Sequence, residues 1–309
     1  MIELPTIGYT LGDQAGVGPE LVEKALAMLP AGVAHFVPVG PRLAGCEPGC
    51  PSEDSARMAL EHLELAAQAL HEGRIDAVVT APVCKEALQS IGFPFPGQTE
   101  FFAERLGAPR FAMCLAGQRL TVALCTTHLA LEEVPRRLCA EQILDTGELL
   151  CDFLRHLGVP CPRLAVAGLN PHNGEGGAFG DEEQRIITPA VHELQRRVHG
   201  LARVAGPCVP DAVYREAALG GYDAVIAPYH DQALIPLKLL DFHTAVNATL
   251  GLPHLRVSPD HGTAFSLAGR GVARPSSTYH AFLLALRYLT GRDFSASADE
   301  KLADAALDV

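Results

Sequence analysis

The feature that most constrains the fold is a regular alternation of short apolar runs with longer amphipathic stretches along the chain. The apolar runs have the length and composition of buried strands, and the amphipathic stretches repeat their apolar residues with a helical period. The predicted strands are residues 6–10, 34–40, 75–82, 163–169 and 222–229, and the predicted helices are residues 19–29, 52–73, 140–158 and 276–291. This alternation is typical of an α/β architecture in which helices cover a mostly parallel sheet.

Charge and hydropathy exclude several classes of partner. The 309 residues carry a formal net charge of −12, so we expect neither nucleic acid nor an anionic membrane surface as a partner. No apolar run approaches the roughly 18 residues of a membrane-spanning helix, and no secretory signal is recognisable at the N-terminus.

The cysteine pattern indicates a reducing compartment. There are nine cysteines, an odd number, and none of them forms a CxxC pair. We therefore expect reduced thiols and a cytoplasmic location rather than a disulfide framework. Cys46 and Cys50 are spaced CxxxC, but two further ligands at matching spacing are missing for a structural zinc site.

Unusually polar turns follow four of the candidate strands. Their sequences are TAPVCK, CTTHLA, GLNPHNGEGG and APYHDQ. Ligands bind at the carboxyl ends of strands in α/β sheets, and three of these turns carry a histidine: His128, His172 and His230. Three histidines from separate strand ends could converge on one metal ion, because imidazole is the commonest transition-metal ligand. The alternative is that each histidine is a hydrogen-bonding surface residue.

Three glycine-rich stretches lie between predicted elements, at residues 11–20, 170–183 and 260–275. The first fits neither the GxGxxG fingerprint nor a P-loop, so a tight strand-to-helix turn explains it equally well. Glycines in the other two would let backbone approach a ligand closely. The acidic residues 181–183 suit the dipole at the start of a following helix and need no catalytic role.

Lysine is rare here, with four among twenty-four lysine and arginine residues. Lys85 follows a strand end, where a lysine can serve in proton transfer. Lys238, Asn247 and Arg256 follow one another at intervals of nine, and basic side chains of this kind bind phosphate or carboxylate. On composition alone, Arg256 would be an ordinary surface arginine.

Eight ordered motifs carry a resemblance to a known family. They are GDQAGVGPE, TAPVCKEAL, GQTEFFAERLG, TTHLALEEVP, GLNPHNGEGGAFGDEE, YHDQALIPLK, VNATLGLPHLR and DHGTAFSLAGRG. From about residue 6 to 290 the chain closely resembles the 4-hydroxythreonine-4-phosphate dehydrogenase family of pyridoxal phosphate biosynthesis. The first and last motifs are also similar to the wider isocitrate and isopropylmalate dehydrogenase superfamily.

The resemblance implies an isopropylmalate dehydrogenase-like α/β/α fold of two domains, with the active site in the interdomain cleft and a homodimer as the assembly. We place the first domain at residues 1–101 with 247–309 and the second at residues 102–246. The implied activity is NAD(P)-dependent oxidation of 4-phosphohydroxy-L-threonine, a small phosphorylated amino acid. The product, 2-amino-3-oxo-4-phosphooxybutanoate, then decarboxylates to 3-amino-2-oxopropyl phosphate.

The resemblance also assigns roles to individual residues. It implies a divalent metal held by His128, His172 and His230, and histidine ligands favour zinc, cobalt or nickel over manganese or magnesium. It implies substrate contacts from Gln98, Thr99, Lys238, Asn247 and Arg256. The NAD or NADP loop would include His261, Gly262, Thr263, Ala264, Gly269 and Gly271. Asp231 and Lys85 are both candidates for the catalytic base.

One departure from the family motif concerns the substrate. The family usually has GHTEFF where this chain has Gln98 before the threonine. Glutamine can hydrogen-bond but cannot be cationic, so its contact with a negative substrate group would be weaker. The alternatives are therefore a relative acting on 4-phosphothreonate, 4-phosphoerythronate or a dihydrodiol dicarboxylate, and, more remotely, a non-catalytic metabolite-binding protein.

Overall fold

The structure is a computed structural model that describes residues 4–294. The chain divides into two compact units. The first unit runs to Pro109 and resumes at Leu252, and the second is Arg110–Gly251. The second unit is therefore inserted between the two sequence segments of the first.

The predicted domain boundaries lie within secondary-structure elements. The boundary at 101/102 falls in helix Gln98–Arg105, and the boundary at 246/247 falls in strand Val246–Leu250. Residues 1–3 and 295–309, which the predicted first domain includes, lie outside the described residues.

The first unit contains a parallel sheet. Its strands are β1 (Thr6–Thr10), β2 (His35–Pro38), β3 (Ala77–Thr80) and β10 (Leu255–Pro259), in the spatial order β2-β1-β3-β10. Its helices are α1 (Gly18–Met28), α2 (Glu53–His71), α3 (Lys85–Ser90), α4 (Gln98–Arg105) and α10 (Ser276–Thr290). Because the strands are parallel, the turns after β1, β3 and β10 all leave the same edge of the sheet.

Helices cover both faces of this sheet. A Cβ added at Gly8 of β1 would meet Ile75 and Val39, which belong to the core that α2 packs on. The next residue, Tyr9, instead contacts Phe282 of α10 edge to face, with ring centroids 6.2 Å apart. Successive residues of a strand point to opposite faces, so α2 and α10 lie on opposite sides.

The second unit has a mixed sheet. Its strands are β4 (Ala112–Ala116), β5 (Thr121–Leu124), β6 (Arg163–Ala167), β7 (Arg203–Cys208), β8 (Ala224–Ala227) and β9 (Val246–Leu250), in the order β9-β4-β5-β8-β6-β7. Its helices are α5 (Val134–Arg137), α6 (Ala140–His156), α7 (Thr188–Arg197), α8 (Pro210–Ala218) and α9 (His230–Asp241). Strand β4 is antiparallel to β5 and β9, whereas β5, β8, β6 and β7 are parallel.

The strands of the second unit are also covered on both faces. Ala165 of β6 belongs to the core formed with α8 and α9. The next residue, Val166, lies beside Gly206 of β7, where an added Cβ would also meet Val191 of α7. Helix α7 packs in turn on α6, since a Cβ added at Gly147 would collide with the Leu194 side chain. The α/β architecture predicted from sequence is therefore confirmed.

The predicted strands and helices are all present, with ends that differ from the prediction by a few residues at most. Strand 6–10 is confirmed at both ends, and the helix predicted at 52–73 is observed at Glu53–His71. All nine cysteines are free thiols, as predicted. Among residues 4–294, no helix combines the length and hydropathy that a membrane span requires.

Candidate active site

Two of the predicted metal ligands lie side by side in the second unit. Strands β5 and β8 are parallel neighbours, and their pairing continues beyond both strands, since the Thr126 N–H and hydroxyl donate to Pro228 O at 3.2 and 2.7 Å. The turns that follow run together, and the ring centroids of His128 and His230 are 5.4 Å apart. Two imidazoles that bind one tetrahedral ion through nitrogens at about 2.1 Å have centroids about 5 Å apart. The pair therefore fits a shared metal ion.

The orientation of His230 is set by the next residue. His230 is the first residue of α9, and its Nδ1 lies 2.7 Å from Asp231 Oδ1. A carboxylate on Nδ1 holds the proton there and leaves the Nε2 lone pair available to a metal. Asp231 is exposed, with 72% of its side chain accessible, so it also contacts solvent at the site. This geometry makes Asp231 an orienting partner of His230.

The third predicted ligand lies in a strained loop after β6. His172, Asn173 and Glu175 all have left-handed backbone, with φ of 51°, 54° and 44°, inside the segment Pro171–Gly177. Side chains with a β-carbon disfavour this region, and such strain collects at functional sites. Among residues 4–294, no three His, Cys, Asp or Glu side chains assemble into a metal site. The structure thus brings His128 and His230 together without His172.

A buried acid, Glu183, organises this loop. Its Oε1 accepts hydrogen bonds from the Leu169 and Asn170 N–H groups at 2.8 and 2.7 Å, and its Oε2 accepts one from the Asn170 side chain at 3.0 Å. Glu183 is 2% exposed, so these bonds form in a region of low dielectric. It therefore fixes the backbone that leads into His172. No sequence signal set Glu183 apart, because an acid at a helix start is ordinary.

Gln232 connects the same loop to the start of α9. Its Nε2 donates to Gly168 O at 2.7 Å, and its Oε1 accepts from the Tyr214 hydroxyl at 3.4 Å. Both ends of the amide are therefore used, and the first turn of α9, which carries His230, is tied to the end of β6. Sequence reasoning noted this glutamine only as the neighbour of a histidine and an aspartate.

Arg256 lies at the centre of a buried polar cluster in the first unit. It is only 3% exposed on β10, and its Nε and Nη2 donate to Thr80 Oγ1 at 3.0 and 2.8 Å. Nη2 also donates to Gln98 Oε1 at 2.8 Å, and the guanidinium carbon lies 5.8 Å from the Phe102 ring centroid. The interpretation of Arg256 as a surface arginine is therefore wrong, because Arg256 lies within the pairing of β10 with β3, opposite Val78.

The charge of this arginine is poorly solvated. Burial lowers the pKa of Arg256 to about 9, and the nearby Glu100 carboxylate opposes that shift. The group stays cationic at neutral pH, while both Thr80 and Gln98 are neutral partners. A buried cation attracts a nearby anion strongly, since little water screens it. The cluster therefore has the electrostatics of a phosphate or carboxylate site.

The start of α4 brings further predicted residues to this cluster. Gln98 and Thr99 are its first two residues and are half-buried, and Gln98 Nε2 donates to Ala81 O at 3.4 Å. Lys85, exposed at the start of α3, reaches the same point, since its Nζ lies 3.8 Å from where a Cβ on Gly97 would stand. Lys85, Gln98, Thr99 and Arg256 are thus grouped in the first unit.

The two remaining predicted substrate residues lie in the second unit. Lys238 is exposed on α9, two turns after His230. Asn247 is half-buried on β9, and its Oδ1 is buried with no hydrogen-bond partner among the described residues. Burying an acceptor without a hydrogen bond costs free energy, and a hydrogen-bond donor on a ligand would remove that cost.

The predicted cofactor loop has an irregular, well-anchored backbone. Ala264 has left-handed φ of 43°, and Gly269 and Gly271 have φ of 74° and 71°. Val17 N–H donates to Thr263 O at 2.9 Å. The loop therefore leaves the sheet edge in a fixed conformation that ordinary helices and strands do not adopt.

Individual groups of this loop fit a bound dinucleotide. His261 Nδ1 lies 3.0 Å from Gly262 O, while its Nε2 is buried with no hydrogen-bond partner among residues 4–294. A Cβ added at Gly262 or Gly271 would meet nothing within 4 Å, so ligand atoms can approach the backbone there. An orphaned ring nitrogen beside open backbone is the kind of group that a cofactor hydroxyl or amide would satisfy.

Solved structures of known proteins share this fold. A β-decarboxylating dehydrogenase from Thermococcus kodakarensis matches with a TM-score of 0.56 at 14% identity, covering 99% of this chain and 89% of that chain. A terephthalate 1,2-cis-dihydrodiol dehydrogenase from Burkholderia xenovorans LB400 matches with a TM-score of 0.68 at 25% identity, covering 92% of this chain and 98% of that chain. The fold and the strand-end residues define the class: a two-unit α/β protein with the isocitrate and isopropylmalate dehydrogenase-like fold.

More similar proteins narrow the class to a family. The 4-hydroxythreonine-4-phosphate dehydrogenase of Desulfosudis oleivorans is 42% identical over 311 residues, covering 87% of this chain and 91% of that protein. The structure of 4-hydroxythreonine-4-phosphate dehydrogenase from Klebsiella pneumoniae matches with a TM-score of 0.79 at 35% identity, covering 92% and 98%. The model of the family described as pyridoxal phosphate biosynthetic protein PdxA matches residues 19–285. The chain belongs to this family and is an oxidoreductase of pyridoxal phosphate biosynthesis.

Proposed function

We propose that this protein oxidises 4-phosphohydroxy-L-threonine with NAD or NADP. The product is 2-amino-3-oxo-4-phosphooxybutanoate, a β-keto acid that loses CO2 to give 3-amino-2-oxopropyl phosphate. The observation that carries the proposal is the pairing of His128 with His230, 5.4 Å between ring centroids, in a chain of this family. The buried cation Arg256 supports it, because the substrate is anionic at both ends.

His128 and His230 would hold a divalent metal, together with His172. Imidazole ligands suit zinc, cobalt or nickel better than manganese or magnesium. Such an ion would supply Lewis-acid polarisation of the substrate hydroxyl. The chain's own contribution is to present the His230 Nε2 lone pair, which the 2.7 Å contact between Nδ1 and Asp231 enforces.

The remaining polar residues bind and orient the substrate. Arg256 would bind one anionic end of the substrate, together with Thr99 at the start of α4. Lys238 and Asn247 would bind the polar groups of the remainder of the substrate. Because the substrate is already oriented when it is bound, the chemical step does not carry the entropy cost of positioning it. Gln98 acts indirectly, since its amide oxygen holds the guanidinium at 2.8 Å.

We propose Lys85 as the base that takes the hydroxyl proton. Both candidates are exposed, but Asp231 Oδ1 is engaged by His230. Lys85 Nζ would accept the proton of the substrate hydroxyl, and NAD or NADP would supply the hydride acceptor for the carbon that bears this hydroxyl. The loop residues His261, Gly262, Thr263, Ala264, Gly269 and Gly271 would hold the cofactor.

We propose a homodimer as the working assembly, located in the cytoplasm. Helix α9 and the residue that follows it expose an apolar stripe at spacings of four and three residues, with Ile235 at 63%, Leu239 at 78% and Phe242 at 65% exposure. A stripe of this size on the helix that carries His230 supports a protein interface. A second copy could then supply the His172 that one chain does not bring to the pair.

Mixing two inactive variants tests this assembly. If each site uses His128 and His230 of one subunit and the partner's His172, a heterodimer of His172→Ala and His230→Ala has one intact site. Random reassociation of equal amounts should then recover about a quarter of wild-type activity, since half of the dimers are heterodimers. If all three ligands come from one chain, the mixture stays inactive. Each variant incubated alone is the control.

A second candidate substrate class is favoured by Gln98 and by the dihydrodiol dehydrogenase similarity. A neutral Gln98 suits a carboxylate as well as a phosphate. The test is kcat/KM with NAD and NADP on a panel of 4-phosphohydroxy-L-threonine, 4-phosphothreonate, 4-phosphoerythronate and a dihydrodiol dicarboxylate. The proposal requires the first compound to rank highest. A higher rank for any other would move the assignment to that substrate, and turnover of none would leave a metabolite-binding role.

A further inference from the structure

Lys24 is one of the four lysines, and the proposed chemistry gives it no role. It lies on α1, and its ammonium donates to Gly271 O at 2.7 Å and to Ala273 O at 3.1 Å. These two carbonyls belong to the end of the glycine-rich loop that begins at His261. One side chain therefore holds two backbone groups, 247 and 249 positions away in sequence.

Glu20 holds the same loop one helical turn earlier. Its Oε2 accepts a hydrogen bond from the Gly269 N–H at 3.2 Å. Its Oε1 lies 3.9 Å from Lys24 Nζ, the spacing of an i, i+4 ion pair. The two charged groups on one face of α1 thus take the donor at Gly269 and the acceptors at Gly271 and Ala273.

The loop needs these side-chain contacts because its own backbone does not strongly favour the observed conformation. Gly269 and Gly271 adopt positive φ, where glycine has no strong preference for the observed conformation over others. Gly269 also approaches Pro48, which an added Cβ would meet at 2.8 Å, so the loop passes between that proline and α1. Ordering a segment of this kind at the moment of binding costs conformational entropy.

We infer that Lys24 and Glu20 are positioning residues for the nicotinamide cofactor, because they hold residues 269–273 in a preformed binding conformation. The inference rests on the proposed function, in which this loop binds NAD or NADP. Neither side chain touches the reacting atoms. Their loss should therefore weaken cofactor binding through added disorder, while the chemical step is retained.

The variants are chosen to separate this role from general stability. Lys24→Met keeps the length of the side chain and removes its donors, and Glu20→Gln keeps the shape but removes the charge. Lys24→Arg is the conservative variant, since it retains charge and donors. Glu23→Gln is the matched control, because Glu23 lies on the same helix and pairs with Arg42, away from the loop.

Three readouts are needed, all on the purified full chain. They are the Kd for NADH by fluorescence titration, the separate KM values for cofactor and substrate with kcat, and amide hydrogen exchange of the peptide covering residues 262–274. We expect Lys24→Met to raise the Kd and the cofactor KM by about tenfold or more, the scale of lost hydrogen bonds to a charged group. The substrate KM and kcat should change less than twofold, and Lys24→Arg should recover most of the affinity.

The outcomes separate the inference from the proposed function. Faster exchange at residues 269–273 in Lys24→Met, with a raised cofactor KM, supports the inference. If Lys24→Met binds NADH as tightly as wild type does, the inference is overturned. It is also overturned if Glu23→Gln weakens NADH binding as much as Lys24→Met does. If wild type binds no NADH or NADPH, the proposed function fails and the cofactor role fails with it. The exchange result then still shows whether α1 orders the loop.

Discussion

Replacing Gln98 with glutamate tests the electrostatics of the buried arginine cluster while keeping an acceptor for Arg256, although the 3.4 Å hydrogen bond from Gln98 Nε2 to Ala81 O is lost. In the wild type, the amide oxygen of Gln98 accepts from Arg256 Nη2 at 2.8 Å. Glutamate at this position can place a carboxylate oxygen at the same point. This added carboxylate would lie beside the guanidinium before any ligand binds, so the pKa of Arg256 would rise from about 9.

The change should affect stability and binding in opposite directions. A hydrogen bond between charged groups contributes about 1.5–3 kcal/mol, against about 0.5–1.5 for a neutral one. We therefore expect the free energy of unfolding to rise by about 1–2 kcal/mol, because Arg256 is only 3% exposed. The same carboxylate competes with an anionic ligand, so the substrate KM should rise by about tenfold to a hundredfold.

The assay combines thermal unfolding with steady-state kinetics. Gln118→Glu, at an exposed position between β4 and β5, adds the same charge in the second unit and is the control. The account requires the Gln98→Glu protein to be at least as stable as wild type and to have a raised substrate KM. A Gln98→Glu protein with unchanged KM, or with a KM raised only as much as in the control, would refute the anion-binding role of this cluster.

Three further predictions concern other parts of the chain. His230→Ala should abolish turnover and weaken zinc or cobalt binding in a calorimetric titration, while the metal-free unfolding free energy stays within about 0.5 kcal/mol of wild type. Glu183→Gln should lower the free energy of unfolding by about 1–3 kcal/mol in denaturant titrations and reduce activity, because the N–H of Leu169 loses a charged acceptor. Burial lowers the pKa of His62 below its usual 6.5, so the native state takes up this proton at lower pH than the unfolded chain, and stability falls as pH drops below 6.5. His62→Gln, which can still donate to Pro41 O, should show a smaller loss of melting temperature between about pH 7 and about pH 5; an equal loss in both proteins would contradict this origin.

Local patterns predicted the elements because strand and helix periods are visible within single segments. The run at residues 6–10 and the amphipathic stretch at 52–73 appear in the structure almost as predicted. The strand ends, and with them the turns carrying His128 and His230, followed from the same patterns. Helix α9 was harder to recognise, because Pro236 interrupts its interior and His230 begins it directly after β8.

Patterns within single segments could not predict contacts between residues that are far apart in sequence. Gln98 and Arg256 are 158 positions apart, so neither the burial of the arginine nor its amide partner is visible in one segment. The same holds for Lys24, whose loop partners lie in the other sequence segment of the first unit. In the sequence, Glu183 resembles an ordinary first-turn acid. Only the structure shows its contact with the loop that carries His172.

The central claim is a metal-dependent oxidation of 4-phosphohydroxy-L-threonine, and NADH formation measures it most directly. Purified protein would be assayed by absorbance before chelation, after chelation, and after zinc or cobalt is restored, with His230→Ala protein as the control. The account predicts that chelation abolishes the rate and that a divalent ion restores it in the wild type only. A rate that survives chelation, or no rate in folded and metal-replete protein, would contradict it.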